Sequence, residues 1–202
     1  MTMPLEQTDL FAAAPTPEYS ARFPEGLSYR ENIITPAEEA ALVEAFQQLT
    51  FVPFEFRGFL GKRNVASFGW KYDYGRRRLD AAPPIPEFLL ALRDRIAPLR
   101  PDRTGEFDQA LVAQYEPGTA IGWHRDRPMY DDVVGISLLS PCRFRLRRKE
   151  GDHWERMAFD AMPRSAYLLS GASRWEWEHS IPPVPALRYS ITFRRLLNRT
   201  SQ

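Results

Sequence analysis

The sequence predicts an α+β domain in which two helices brace one face of a strand-rich barrel or double-sheet jelly roll. Three observations carry that prediction. Both stretches with helical apolar spacing lie in the first half of the chain. The second half is a run of short segments with strand-like alternation. The 11 glycines and 18 prolines punctuate these segments with turns.

The elements follow in order. Residues 1–20 are rich in small residues and proline (AAAPTPEYSA) and are expected as a loose tail, able to dock through Leu10 and Phe11. GLSYRENII then reads as a strand. Thr35-Pro36-Ala37-Glu38 is a helix start: Thr35 as N-cap, Pro36 at the first helical position, and Glu38 closing a capping box. Ala41, Leu42, Ala45, Phe46 and Leu49 would form the buried face of that helix. Residues 51–74 are aromatic and broken by glycine, predicting two or three short strands joined by turns at Gly58 and Gly61. A second helix follows Pro86, with Phe88, Leu89, Leu92 and Ile96 on one side, and ends near Pro98. Strands are predicted in FDQALVAQY, before a Pro117-Gly118 turn, and then in VVGISLL, CRFRLRR, WERMAF, SAYLLS and LRYSITFRRL. A single domain over 21–202 is expected, with 21–105 supplying helices and a lid and 106–202 the chemistry.

Composition narrows the function classes. With 202 residues the chain can bury one substantial core. Its 44% hydrophobic and 26% charged residues are ordinary for a soluble protein. A net charge of +1 excludes a uniformly basic nucleic-acid binder but leaves room for a local basic patch. Cys142 is the sole cysteine, so no intramolecular disulfide forms, and a reducing cytoplasm is expected. No apolar run approaches the ~18 residues of a membrane span. The start, MTMPLEQTDLF, lacks the basic-then-apolar form of a secretory signal.

The chain has three histidines, His124, His153 and His179. His124 and Asp126 stand two apart in GWHRDRP, and on an extended segment they share a side. With His179, in WEWEHSIPP, they make two imidazoles and one carboxylate, the facial donor set of non-haem Fe(II) oxygenases. A His-x-Asp pair alone is common by chance. His153, beside Gly151 and Asp152, reads as an exposed turn residue. The deciding segment is Arg188–Arg194, whose even positions are Arg, Ser, Thr and Arg and whose odd positions are Tyr, Ile and Phe. Such a polar face usually meets water. Turned into a barrel, its two guanidiniums would bind a dicarboxylate.

LVAQYEPG, GWHRDRP, GISLLSPCRFRLRRKEG, SAYLLSGASRWEWEHSIP and RYSITFRR, in that order over 111–195, resemble the AlkB-like branch of the 2-oxoglutarate/Fe(II) dioxygenases. The resemblance implies a double-stranded β-helix core, with iron held by His124, Asp126 and His179. It implies Arg188 on the distal carboxylate of 2-oxoglutarate, Arg194 near the chelating end, and Tyr115 hydrogen-bonding the co-substrate beside Ser190. Ala113 and Ser190 stand where family members often carry asparagine. The implied reaction consumes O2 and oxidises a C–H bond, and on an N-methyl group it yields formaldehyde and the bare nitrogen. The implied substrate is an alkylated base in DNA or RNA; a monomer in the cytoplasm is expected. A protein or small-molecule hydroxylase is the alternative, with a non-catalytic metal-binding barrel behind it. FGWKYDY resembles the family's aromatic lid, with Trp70 and Tyr72 as base-stacking candidates. Arg63 is then a candidate for the phosphate path, together with Arg57, Lys62, Arg76, Arg77 and Arg78. Arg143, Arg145 and Arg147 should form one basic strand face, with Phe144 and Leu146 inward.

Overall fold

The computed structural model describes residues 23–56, 59–100 and 107–197. The expected tail over 1–20, with Leu10 and Phe11, lies outside these, as do Arg57 and the turn expected at Gly58.

The chain opens with β1 (Leu27–Arg30) and α1 (Pro36–Phe46). Thr35 caps α1 as expected: its Oγ1 accepts from Glu38 N at 3.2 Å, and Glu38 Oε2 accepts from Thr35 N at 2.7 Å. The buried stripe of α1 differs from the expectation. Leu42 and Phe46 are buried, but Ala41 is exposed, and Glu39 lies on the inner side instead. Glu39 is satisfied there, accepting from Leu139 N and from Arg164. The antiparallel pair β2 (Val52–Phe56) and β3 (Phe59–Phe68) comes next. Gly61 lies inside β3 and not at a turn. The register shifts opposite it, between Pro53 and Glu55, so this glycine serves an irregularity in the ladder.

A hairpin of β4 (Trp70–Asp73) and β5 (Arg78–Ala81) leads to α2 (Glu87–Ile96) and a three-residue 3-10 turn, Ala97–Leu99. The remaining strands are β6 (Gln109–Tyr115), β7 (Ile121–His124), β8 (Tyr130–Leu138), β9 (Cys142–Glu150), β10 (His153–Ala161), β11 (Ser165–Leu169), β12 (Glu178–Ile181) and β13 (Arg188–Leu196). The short helix α3 (Gly171–Trp175) precedes β12. Neither α3 nor β12 was expected, because each is too short to show a period.

The strands form a seven-stranded sheet, β1-β11-β8-β13-β6-β3-β2, and a four-stranded sheet, β10-β9-β12-β7. The alternation of β13 divides the interior. Tyr189, Ile191 and Phe193 pack with Leu42, Phe46, Leu89, Leu92 and Ile96 beneath the helices. A second core fills the space between the sheets, from Val65, Leu111, Ala113 and Tyr115 on one side and Phe144, Leu146 and Phe159 on the other. This is the expected jelly roll with helices on one face. Among the described residues no helix is long and apolar enough to cross a membrane.

Candidate functional site

The site begins with a cross-strand pair. β12 and β7 run antiparallel with His179 directly opposite His124. Directly opposed residues project to the same face, and the two imidazole centroids stand 4.3 Å apart. Phe144 stacks on His179 at 5.3 Å with planes 15° apart, holding that ring upright. His124 Nδ1 lies 2.9 Å from the Gly122 carbonyl. That bond makes Nδ1 the protonated nitrogen and leaves the Nε2 lone pair for a metal.

β7 stops at His124, so Asp126 stands in the loop beyond it. Three residues hold that loop. Arg174 of α3 is 2% exposed, and its guanidinium donates to the carbonyls of Arg127, Tyr130 and Asp131, each at 2.7 Å. Arg125 donates to the Trp175 carbonyl at 3.0 Å. Arg194 directs both Nε and Nη2 to Asp126 Oδ1 at 2.9 Å, while its Nη1 reaches Gln109 Oε1 at 3.2 Å. Asp126 Oδ2 faces His179 Nε2 at 3.7 Å. Arg174 and Gln109 were not singled out from the sequence, since nothing local distinguishes them from surface residues.

Electrostatics prepare these groups to act as donors. Burial pushes the Asp126 carboxyl up, but Arg194 and both imidazoles override it and hold the group ionised well below the usual carboxylate range. Burial lowers His179 to about 3, helped by the neighbouring His124. Burial also lowers His124, against the pull of Asp126. At neutral pH the set is two neutral imidazoles and one carboxylate, the chemistry that suits Fe(II). Among the described residues no three His, Cys, Asp or Glu side chains stand as a finished metal cage. Asp126 gives Oδ1 to Arg194 and turns Oδ2 toward His179, so its carboxylate stands beside the histidines.

Arg188, Ser190, Thr192 and Arg194 all line the same cavity, of about 990 Å³, as the triad does. The polar face of β13 therefore points inward, with Arg188 fully buried. Arg188 Nε donates to Ser137 Oγ at 3.1 Å, and its guanidinium lies 4.8 Å from the Tyr115 ring. Its Nη1 is buried with no partner among the described residues. An unpaired buried guanidinium nitrogen is costly unless a ligand meets it, and a carboxylate end of 2-oxoglutarate fits that role. Tyr115 Oη and Ser190 Oγ lie 3.3 Å apart beside it. The residues present thus fit both the metal and the co-substrate.

The hairpin β4–β5 borders the cavity from Lys71 to Gly75. Tyr72 and Tyr74 line the cavity; Trp70 does not. Of the two base-stacking candidates, Trp70 and Tyr72, Tyr72 is the one on the cavity wall. Trp70 sits at the hairpin root, next to Gly69 and paired with Ala81, 37% exposed, with its carbonyl accepting from Gln109 Nε2. Arg127, next to Asp126, stacks on Tyr72 and Tyr74 at 4.6 and 4.8 Å and ties the hairpin to the metal loop. Arg63 lies on the cavity wall rather than along an outer path. Arg76 and Arg78 pair with Asp73 and Asp80 inside the hairpin. Phe144 and Leu146 are inward as expected, while Arg143, Arg145 and Arg147 bond Asp160, Ser180 and Glu178. His153 stands exposed at the start of β10.

Comparison with known proteins agrees with this geometry. A family model described as the 2OG-Fe(II) oxygenase superfamily matches residues 26–194. The chain is 28% identical over 181 residues to the "Alkylated DNA repair protein ALKBH8 homolog" of Arabidopsis thaliana, covering 78% of this chain and 51% of that protein. It is 29% identical over 173 residues to the "tRNA (carboxymethyluridine(34)-5-O)-methyltransferase ALKBH8" of Mus musculus, covering 79% of this chain and 24% of that one. The chain thus spans about half of the first relative and about a quarter of the second. The solved structure of OsALKBH1 shares the fold, with a TM-score of 0.66 at 18% identity over 86% of this chain and 98% of that one.

Proposed function

The chain belongs to the 2OG-Fe(II) oxygenase superfamily, and from that membership we propose that it oxidises an alkyl group on a nucleic-acid base, with His124, Asp126 and His179 as its Fe(II) ligands. The family's reaction uses Fe(II), 2-oxoglutarate and O2. The observation that carries the reading is the convergence, in one cavity, of the His124–His179 cross-strand pair, Asp126 and the polar face of β13.

When bound, the iron couples decarboxylation of 2-oxoglutarate to oxidation of a nearby C–H bond. The protein supplies position and charge. His124 and His179 stay neutral because burial disfavours their protonated forms. Asp126 stays ionised because Arg194 faces it. Arg188 takes the distal carboxylate of 2-oxoglutarate through its free Nη1, beside Tyr115 and Ser190. Arg194 lies at the end of the co-substrate nearer the metal. Tyr72 and Tyr74 offer flat faces at the mouth, where an extruded base needs a replacement for its stack. That two relatives are named for DNA repair and for a tRNA uridine supports a nucleic-acid substrate. The methyltransferase activity in the second name belongs to a protein of which this chain matches 24%, and it is not carried over. In this reading the chain works as a monomer in the cytoplasm.

The test is succinate release from 2-oxoglutarate with Fe(II), with and without a methylated oligonucleotide, with formaldehyde measured in parallel. Oligonucleotide-dependent succinate and matching formaldehyde are expected. Succinate that is indifferent to the oligonucleotide, with no formaldehyde, would move the substrate to a protein or small molecule.

A further inference from the structure

We propose that Arg63 and Arg188 form a single carboxylate clamp on either side of Tyr115, so that an entering carboxylate meets guanidiniums from two strands. The inference rests on the 2-oxoglutarate reading above and extends it to a residue outside β13.

The strand order places the clamp. Arg188 on β13 is the register partner of Tyr115 on β6. β3 flanks β6 on its other side, with Asn64 opposite Gln114 and Val65 opposite Ala113. Alternation then sets Arg63 beside Tyr115 on the cavity face, and all three residues line the cavity. A phenol thus lies between two cations on neighbouring strands.

Neither cation is neutralised. The Arg63 guanidinium lies 3.9 Å from the centre of the Phe54 ring, a contact that positions the charge without cancelling it. Among the described residues no carboxylate pairs with it. Arg188 is held by Ser137 through Nε, which leaves Nη1 buried and open. Two guanidiniums on one cavity wall without a counter-charge repel each other, and the buried Arg188 is shut off from water. One carboxylate between them relieves both costs. Tyr115 senses both: burial raises its pKa, but Arg63 first and Arg188 next outweigh that and hold it below the ordinary phenol value.

The short side chains nearby give the clamp its purpose. Ala113 and Ser190 are register partners across β6 and β13, and both line the cavity. Neither carries an amide that could reach a carboxylate above Tyr115. Arg63, on the same cavity wall, does carry such donors. The carboxylate has two possible sources, the distal end of 2-oxoglutarate or an acidic substituent on the substrate.

Calorimetric titration of Mn(II)-loaded protein under nitrogen separates them, using wild type, Arg63→Gln and Arg63→Lys. The ligands are 2-oxoglutarate and 2-oxopentanoate, which lacks the distal carboxylate. If the clamp holds the co-substrate, Arg63→Gln weakens 2-oxoglutarate about tenfold, equivalent to about 1.4 kcal/mol, and leaves 2-oxopentanoate within about twofold. Arg63→Lys keeps the charge but loses the fork and falls between the two; it is also the variant to read should Arg63→Gln fail to fold. If the clamp holds a substrate carboxylate, 2-oxoglutarate affinity is unchanged, and acetate titrated into the 2-oxoglutarate-saturated protein binds wild type but not Arg63→Gln. Identical behaviour of wild type and Arg63→Gln toward both 2-oxoglutarate and acetate overturns the clamp. Wild type that binds acetate through Arg63 but takes no 2-oxoglutarate removes the oxygenase reading and keeps the clamp, whereas binding neither removes both.

Discussion

His179 sits in the cavity wall with its side chain 12% exposed. Its pKa, about 3, lies below the ordinary 6.5 because burial disfavours the imidazolium. Between those values the unfolded chain takes up a proton that the folded chain refuses, so stability rises with pH across this window and is lost on acidification from about 6.5 toward 3. His124 acts in the same direction. Urea midpoints measured from about pH 4.5 to 6.5 should therefore fall on acidification in wild type and flatten in His179→Gln. A variant whose slope matches wild type would show that His179 is solvated. Arg194 supports a second expectation. Arg194→Leu leaves the Asp126 carboxylate buried beside an apolar side chain, which should cost about 3–5 kcal/mol in urea unfolding. Asp126→Asn in the same chain should return part of that loss, because the two residues share one interaction. Strict additivity of the two substitutions would deny the pairing.

Among the elements, the β4–β5 hairpin shows how a corner controls a lid. Gly69 has φ +73°, and a Cβ there would run into the Asp108 carbonyl. Its amide donates to the Pro83 carbonyl, so the hairpin leaves the sheet at this point. Gly69→Ala should cost roughly 1–2 kcal/mol from the left-handed backbone alone, and the clash should shift the hairpin. Tyr72 and Tyr74 would then lose their place over the mouth. The expected outcome is reduced oligonucleotide-dependent turnover with 2-oxoglutarate affinity of the Mn(II) form retained. Equal loss of both would mean that the corner supports the whole cavity and not the lid. Helix α1 makes a milder test. Its capping box is intact and exposed, so Thr35→Ala should lower stability by about 1 kcal/mol in thermal melts and leave 2-oxoglutarate binding unchanged.

At the scale of the whole molecule, the site is what joins the two sheets. His124 and His179 come from the four-stranded sheet, while Arg188, Ser190 and Arg194 come from the seven-stranded one. A metal and a dicarboxylate bound between them should stabilise the folded state by mass action. At a hundredfold excess over Kd the gain is about 2.7 kcal/mol, or about 5–10 °C in Tm for a chain of this size. Melts with Mn(II) and 2-oxoglutarate together should show that rise in wild type, and His124→Ala should abolish it. A rise that survives His124→Ala would place the metal elsewhere.

How much of this was legible in the sequence depends on the range of the physics. The capping box of α1, the apolar side of α2 and the two faces of β13 are local facts. They rest on periods of 3.6 and 2.0 that any window of the chain displays. The donor types of the site were legible for the same reason, since His-x-Asp and the Arg–Ser–Thr–Arg face are spelled out in neighbouring residues. The sequence by itself therefore determined the layer order and the chemical kind of the site. Only the tertiary structure decided which residues meet. The pairing of β12 with β7 sets His179 opposite His124 across 55 positions of chain. Arg174 acts through three carbonyls more than 40 residues away. Tyr72 lines the cavity and Trp70 does not, a difference that their shared strand face could not reveal. Strand partnership and loop closure are non-local, and no periodicity within a segment encodes which distant segment will lie beside it.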